Sequence, residues 1–104
     1  MELTSKQRAY LRSLAQAEEA LFSIGKDGLT PEVTAAVEEA FSNRELIKLS
    51  VNKNCFEDIR ALLQTLSERT RSVPVQTIGR KMVLYKPFED DPVLEKELKK
   101  LAKK

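Results

Sequence analysis

Helical and strand-like hydrophobic patterns alternate three times along this chain, and a further strand pattern follows directly. Because helical crossovers join parallel strands with a right-handed turn, the first three strands are predicted to run in one direction. Apolar side chains recur at helical spacing in residues 4–18, in a segment that begins at Thr30 and in one that begins after Asn54 or Cys55. Short apolar or alternating runs follow these segments, at residues 21–24, 45–52 and 73–78.

The last two strand patterns form a β-hairpin. Gly79 and Arg80 make its tight turn, and residues 81–86 alternate on the returning strand. Pro74 has no amide hydrogen, so the strand at 73–78 is predicted either to lie at the sheet edge or to start at this residue. The fold class is therefore α/β (α+β mixed), with element order α-β-α-β-α-β-β and a four-stranded mixed sheet packed by helices.

Length and hydropathy set the domain organisation. The chain has 104 residues, which is enough for one modest core. Residues 1–87 are the predicted domain, and residues 88–104 are a charged C-terminal tail or short helix. No apolar segment is long enough to cross a bilayer, and the first residues lack a leader pattern, so we expect a cytoplasmic protein.

The residue inventory excludes several kinds of catalytic site. The chain has no histidine, and Cys55 is its one cysteine. Ser-His-Asp, Cys-His and zinc-histidine sites are therefore ruled out, and Cys55 is expected to be a small buried hydrophobe. The phosphate-binding motifs of nucleotide enzymes are missing, and no pair of carboxylates is suitably placed for acid–base catalysis. We predict no enzyme activity, no cofactor and no metal.

A glycine-flanked turn separates the first strand from the second helix, where the sequence reads Ile-Gly-Lys-Asp-Gly-Leu-Thr-Pro over residues 24–31. Gly25 and Gly28 would let a bulky ligand approach the backbone, and Lys26 supplies a mobile positive charge. Thr30 is a helix N-cap, and free amide groups beyond it favour an anion. KH domains clamp a nucleic-acid backbone with a Gly-x-x-Gly loop. A plain strand-to-helix turn explains the same residues.

Other basic side chains extend this hypothesis. The net charge is only +2, so nucleic-acid binding would depend on a local patch. The hairpin offers Arg80 and Lys81, although a charged hairpin tip is often only a solvated turn. The first helix offers three further candidates, which an ordinary solvent-exposed face explains equally: Lys6, Arg8 and Arg12.

Aromatic side chains give little support for base stacking. Phe22, Phe41 and Phe56 lie in apolar contexts and are predicted to be in the core. Tyr85, and less clearly Tyr10, are the aromatic residues with polar neighbours that suit a stacking platform. Recognition of the nucleic-acid backbone is therefore favoured over recognition of bases.

Four segments together resemble one family. They are residues 3–12, 24–30, 44–48 and 76–85, and they resemble YhbY-type RNA-binding proteins, the stand-alone bacterial form of the CRM domain. The match runs in order from about residue 3 to residue 87. In such proteins a small residue often stands at the position of Asp27. The resemblance therefore implies RNA contacts for Lys26 and the two glycines but not for Asp27.

The resemblance implies a fold similar to the C-terminal domain of a bacterial translation initiation factor. It also implies RNA binding through the Gly-x-x-Gly loop, with ribosomal RNA of the large-subunit precursor as partner and ribosome assembly as the role. The alternative is a protein-interaction module of the same fold without direct RNA contact. The two differ in whether the glycine loop, the hairpin tip and the basic side of the first helix form one surface.

Overall fold

The computed structural model describes residues 2–102 and confirms the predicted element order, with one helix added at the end. The helices in the described residues are α1 (Ser5–Gln16), α2 (Pro31–Ala40), α3 (Ile59–Thr70) and α4 (Glu95–Ala102). The strands are β1 (Phe22–Ile24), β2 (Leu46–Val51), β3 (Val73–Ile78) and β4 (Lys81–Tyr85). Within residues 2–102, each helix is too short or too polar to cross a membrane.

The four strands form one mixed sheet in the order β1-β2-β4-β3. β1 and β2 are parallel, and β4 is antiparallel to both of its neighbours. As a result β1, β2 and β3 run in the same direction, as the crossovers predict. Pro74 lies on β3 at the edge of the sheet, also as predicted, and a bulge interrupts the pairing between Pro74 and Gln76.

Alternating side chains of the sheet build two apolar clusters, one on each face. On one face, Ile47, Leu49 and Val51 of β2 pack with α2 and α3. On the other face, Leu46 of β2 and Val83 of β4 pack with α1 and α4. The sheet is therefore covered by helices on both sides, and the loops at its two ends remain accessible.

Short polar side chains define where the helices begin. Thr30 caps α2 by accepting a hydrogen bond from the Val33 amide at 3.2 Å. The third helix was predicted to begin after Asn54 or Cys55, and this is wrong. α3 begins at Ile59 because the Asp58 side chain accepts from the Arg60 amide at 3.4 Å. Residues 52–58 are consequently a loop.

The segment after residue 87 is attached to the sheet by one buried carboxylate. Glu45, which precedes β2, is 5% exposed. Its side chain accepts from the backbone amides of Phe88 at 2.8 Å, Val93 at 3.0 Å and Leu94 at 2.8 Å. These bonds place α4 against α1, where Leu98 is fully buried.

Candidate nucleic-acid interface

Three loops meet at one end of the sheet. Because β1, β2 and β3 run in the same direction, the segments that follow them begin at the same end of the sheet. We call the glycine turn at 25–28, the β2–α3 loop at 52–58 and the hairpin turn at 79–80 the loop end of the sheet. The Asn52 amide donates to the Ile24 carbonyl at 2.8 Å, and the Val51 amide donates to the Arg80 carbonyl at 2.7 Å.

The glycine turn holds Lys26 out in solvent. The Gly28 amide donates to the Gly25 carbonyl at 3.0 Å, which closes a tight turn with Lys26 and Asp27 exposed at its centre. Gly28 has a φ of 68°, a backbone conformation that residues other than glycine rarely adopt. Its own amide is occupied by the turn, so Lys26 is the polar group that this turn offers to an anion.

The β2–α3 loop lies alongside the glycine turn. A Cβ atom added at Gly28 would lie 2.1 Å from Glu57 Oε2, and one added at Gly25 would lie 3.8 Å from Asn54 Oδ1. Gly28 is therefore favoured by its backbone conformation, whereas the Glu57 carboxylate, at the end of an exposed flexible side chain, can move aside. The two loops are in contact at both ends of the turn.

The start of α2 offers fewer free amides than predicted. The Val33 amide donates to the Thr30 side chain, and Pro31 has no amide hydrogen. The prediction that the amides around Thr30 to Val33 are free is therefore wrong for Val33. Thr30 acts as a helix cap in this structure, and its contact with RNA stays a prediction.

Arg80 holds the β2–α3 loop in place. Its Nε donates to the Val51 carbonyl at 2.8 Å, and its Nη2 donates to the carbonyls of Asn52 and Cys55, the latter at 3.1 Å. The guanidinium group is thus already engaged with the protein backbone. A contact between Arg80 and phosphate remains a prediction.

Three exposed lysines lie on or next to the loop end. Lys26 is in the glycine turn and Lys53 is in the β2–α3 loop. Lys81 begins β4, where it pairs with Ser50 of β2 and Ile78 of β3. In the sequence, Lys53 is a basic residue that an ordinary solvent-exposed face explains, and its position at the loop end follows only from the direction of β2.

Acidic groups of the loop end lie toward α3. Asp27 and Glu57 line a groove of about 300 Å³ together with Arg69 of α3. Within the described residues, the three lysines of the loop end do not line this groove. The Asp27 and Glu57 carboxylates thus share a groove with Arg69, although Asp27 is also the direct sequence neighbour of Lys26.

The basic residues of α1 are not part of this arrangement. Arg8 donates through Nη1 to the carbonyls of Pro74, at 2.9 Å, and Val75. Lys6 and Arg12 are exposed on α1, which packs across one face of the sheet. The glycine turn and the hairpin turn come together as the RNA-binding hypothesis requires, whereas the hydrogen bonds of Arg8 connect it to the edge strand.

Two predictions about aromatic residues are wrong. Tyr85 is fully buried beneath α1 and α4, and burial together with the nearby carboxylates of Glu45 and Glu95 raises the pKa of Tyr85 to about 12. Phe56, predicted to be in the core, is 95% exposed because it lies in the loop before α3. Phe41 is buried, as predicted.

The fold is that of a small α/β domain family. The model of the CRS1 / YhbY (CRM) domain matches residues 3–86, and the chain belongs to this family. The chain is 41% identical over 93 residues to "Probable RNA-binding protein YqeI" of Bacillus subtilis (strain 168), which covers 89% of this chain and 97% of that protein. The resemblance stated from the sequence is thereby confirmed.

Two further proteins are similar along most of their length. A Haemophilus influenzae protein named "RNA-binding protein" is 35% identical over 88 residues, covering 85% of this chain and 89% of that protein. The solution structure of the hypothetical protein SAV1595 from Staphylococcus aureus superposes with a TM-score of 0.74 at 43% identity. That match covers 86% of this chain and 94% of the other.

Proposed function

We propose that this protein binds structured RNA through the loop end of its sheet. The observation that carries the proposal is the meeting of the glycine turn, the β2–α3 loop and the hairpin turn, with Lys26, Lys53 and Lys81 exposed around them. The family model and the names of the two relatives support RNA as the ligand.

The geometry favours contact with the RNA backbone. A phosphodiester can approach the turn closely at Gly25, which has no side chain, and Lys26 neutralises its charge. Lysine is a flexible point charge, so it fits phosphates without demanding one fixed geometry. If the three lysines each neutralise one phosphate, the logarithm of affinity falls with the logarithm of salt concentration with a slope of roughly −2 to −3.

The RNA we propose is ribosomal RNA of the large-subunit precursor, which makes the protein a cytoplasmic assembly factor without enzymatic activity. This part of the proposal rests on the resemblance to YhbY-type proteins. Co-sedimentation with precursor particles of the large subunit tests it. A protein that binds RNA in isolation but stays at the top of the gradient would contradict the assembly role alone.

Replacing Lys26 by alanine is expected to weaken RNA binding by roughly three- to tenfold and to make the salt slope shallower by about one. Gly28→Asp is expected to weaken binding further, because it displaces Glu57 and adds a carboxylate to the turn. Affinities for ribosomal RNA fragments at two salt concentrations measure both effects, with circular dichroism to confirm folding. Lys96→Ala, an exposed lysine on α4, is the control. Unchanged affinity in both folded variants contradicts the role of the loop.

A further inference from the structure

Phe56 is the most exposed large hydrophobic residue described in this structure, at 95%. Its neighbours are held in place on both sides. Cys55 is buried in the core, and its carbonyl accepts a hydrogen bond from Arg80 at 3.1 Å. Two residues beyond Phe56, Asp58 caps α3. The loop therefore presents the phenyl ring to solvent from a fixed base.

The position of Phe56 matters more than its exposure, since single exposed apolar residues are common. Phe56 lies between Asn54 and Glu57, the two residues that lie against Gly25 and Gly28. The ring is thus carried by the stretch of chain that borders the glycine turn. Lys53 precedes this stretch, and Lys26 is exposed in the turn itself.

An exposed aromatic ring, in a loop that carries one exposed lysine and borders a turn that carries another, has the chemistry of a nucleobase platform. Every base has an apolar face that stacks on an aromatic side chain, while nearby lysines neutralise the adjoining phosphates. A protein contact would require apolar neighbours to bury around the ring. The two side chains of this loop that lie against the glycine turn, Asn54 and Glu57, are polar, and Ile78, before the hairpin turn, is the exposed large apolar residue nearest in the fold's loop end.

We propose that Phe56 stacks on an unpaired nucleobase of the RNA whose backbone passes over the glycine turn. The inference rests on the proposed RNA-binding function and narrows its ligand. Bases inside a continuous duplex are already stacked on one another, so this platform selects RNA with a bulged or single-stranded nucleotide.

The affinity for two matched RNA hairpins tests whether Phe56 selects RNA with an unpaired nucleotide. One hairpin is fully paired, and the other carries one unpaired nucleotide in the same stem. Phe56→Ala is expected to weaken binding of the bulged hairpin by roughly five- to 100-fold and to change binding of the paired hairpin less than about twofold. Phe56→Tyr, which keeps an aromatic ring, is expected to retain most of the affinity for the bulged hairpin.

A tryptophan reporter tests the stacking itself. The chain contains no tryptophan, so Phe56→Trp introduces a single tryptophan, which can be excited selectively over the two tyrosines. Stacking on a base is expected to quench its fluorescence when the bulged hairpin is added. Val93→Trp is the control, because Val93 is 62% exposed and lies in the segment attached to Glu45, away from the loop end. Its emission is expected to stay unchanged.

Three outcomes overturn the inference. If Phe56→Ala binds both hairpins like the wild type while Lys26→Ala still loses affinity, the proposed function stands and stacking is wrong. If both variants bind like the wild type, both proposals fail. If sedimentation shows a wild-type oligomer that Phe56→Ala converts to a monomer and tryptophan emission ignores RNA, then Phe56 is a protein contact.

Discussion

Arg80→Lys is expected to weaken RNA binding by roughly tenfold although it retains the positive charge. Arg80 donates to three backbone carbonyls, at Val51, Asn52 and Cys55, and these bonds fix the loop that borders the glycine turn. A lysine ammonium lacks the planar fork that spans such a set of acceptors. Losing one well-formed bond to a charged group costs about 1.5 kcal/mol, which lowers the equilibrium constant between closed and open loops by about a factor of ten. The affinity falls by the same factor when the loop of the variant is mostly open.

Two measurements separate this role of Arg80 from direct phosphate binding. Hydrogen exchange of the amides in residues 52–58 is expected to become faster in Arg80→Lys without RNA, and affinity for RNA is expected to fall in parallel. Arg44→Lys, an equivalent exchange at an exposed residue before β2 and therefore at the other end of that strand, is the control and should change neither quantity. If Arg80→Lys binds RNA like the wild type while Arg80→Ala does not, the charge of residue 80 matters and its hydrogen bonds to the loop do not.

Glu45→Ala is expected to lower the free energy of unfolding by about 2–4 kcal/mol, the largest stability effect that we predict. The substitution removes a buried carboxylate and leaves the amides of Phe88, Val93 and Leu94 without their acceptor. Chemical denaturation measures the loss. Because these amides attach α4 to the sheet, exchange of the α4 amides is expected to become faster before the rest of the domain unfolds.

A variant at Glu45 is also expected to change the stability of the domain without changing its RNA binding. It precedes β2, whereas the loop end follows β2, so the two lie at opposite ends of the strand. Glu45→Ala is therefore expected to bind RNA like the wild type at temperatures where it is folded. Glu39→Ala, on the exposed surface of α2, is the stability control. A stability loss below about 1 kcal/mol would contradict the anchoring role of Glu45.

Local signals in the sequence were sufficient to predict most of the fold. Thr30 followed by Pro31 marks the start of α2, and Gly79 supplies the positive φ, 57°, of the hairpin turn. Pro74 indicates an edge strand because it cannot donate to a second neighbour. Each of these inferences depends on residues within a few positions of one another, and the structure confirms all of them.

The errors arose where a distant contact decides the outcome. The alternation of side chains along β4 was predicted correctly, but Tyr85 was expected to be accessible for stacking. Its burial depends on α4, which Glu45 attaches from more than 40 residues away. Phe56 follows the apolar Cys55 and was predicted to be in the core. It lies in an exposed loop instead, because Asp58 caps α3 two residues after it. The sequence also could not indicate that Arg80 is hydrogen-bonded to backbone carbonyls, because these carbonyls lie 25 to 29 residues earlier, and its contact with phosphate stays a prediction.

The most direct test of RNA binding at the loop end compares two variants that lose the same number of positive charges. The loop-end variant carries Lys26→Ala, Lys53→Ala and Lys81→Ala. The control variant removes three exposed lysines of α4 and carries Lys96→Ala, Lys99→Ala and Lys100→Ala.

The measurement is the affinity of both variants for one ribosomal RNA fragment over a range of salt concentrations. The loop-end variant is expected to lose roughly 30- to 1000-fold in affinity and most of its salt dependence, whereas the control loses less than about threefold. Equal losses in the two folded variants would show that the affinity for RNA depends only on the net charge of the protein, and would contradict a binding site at the loop end.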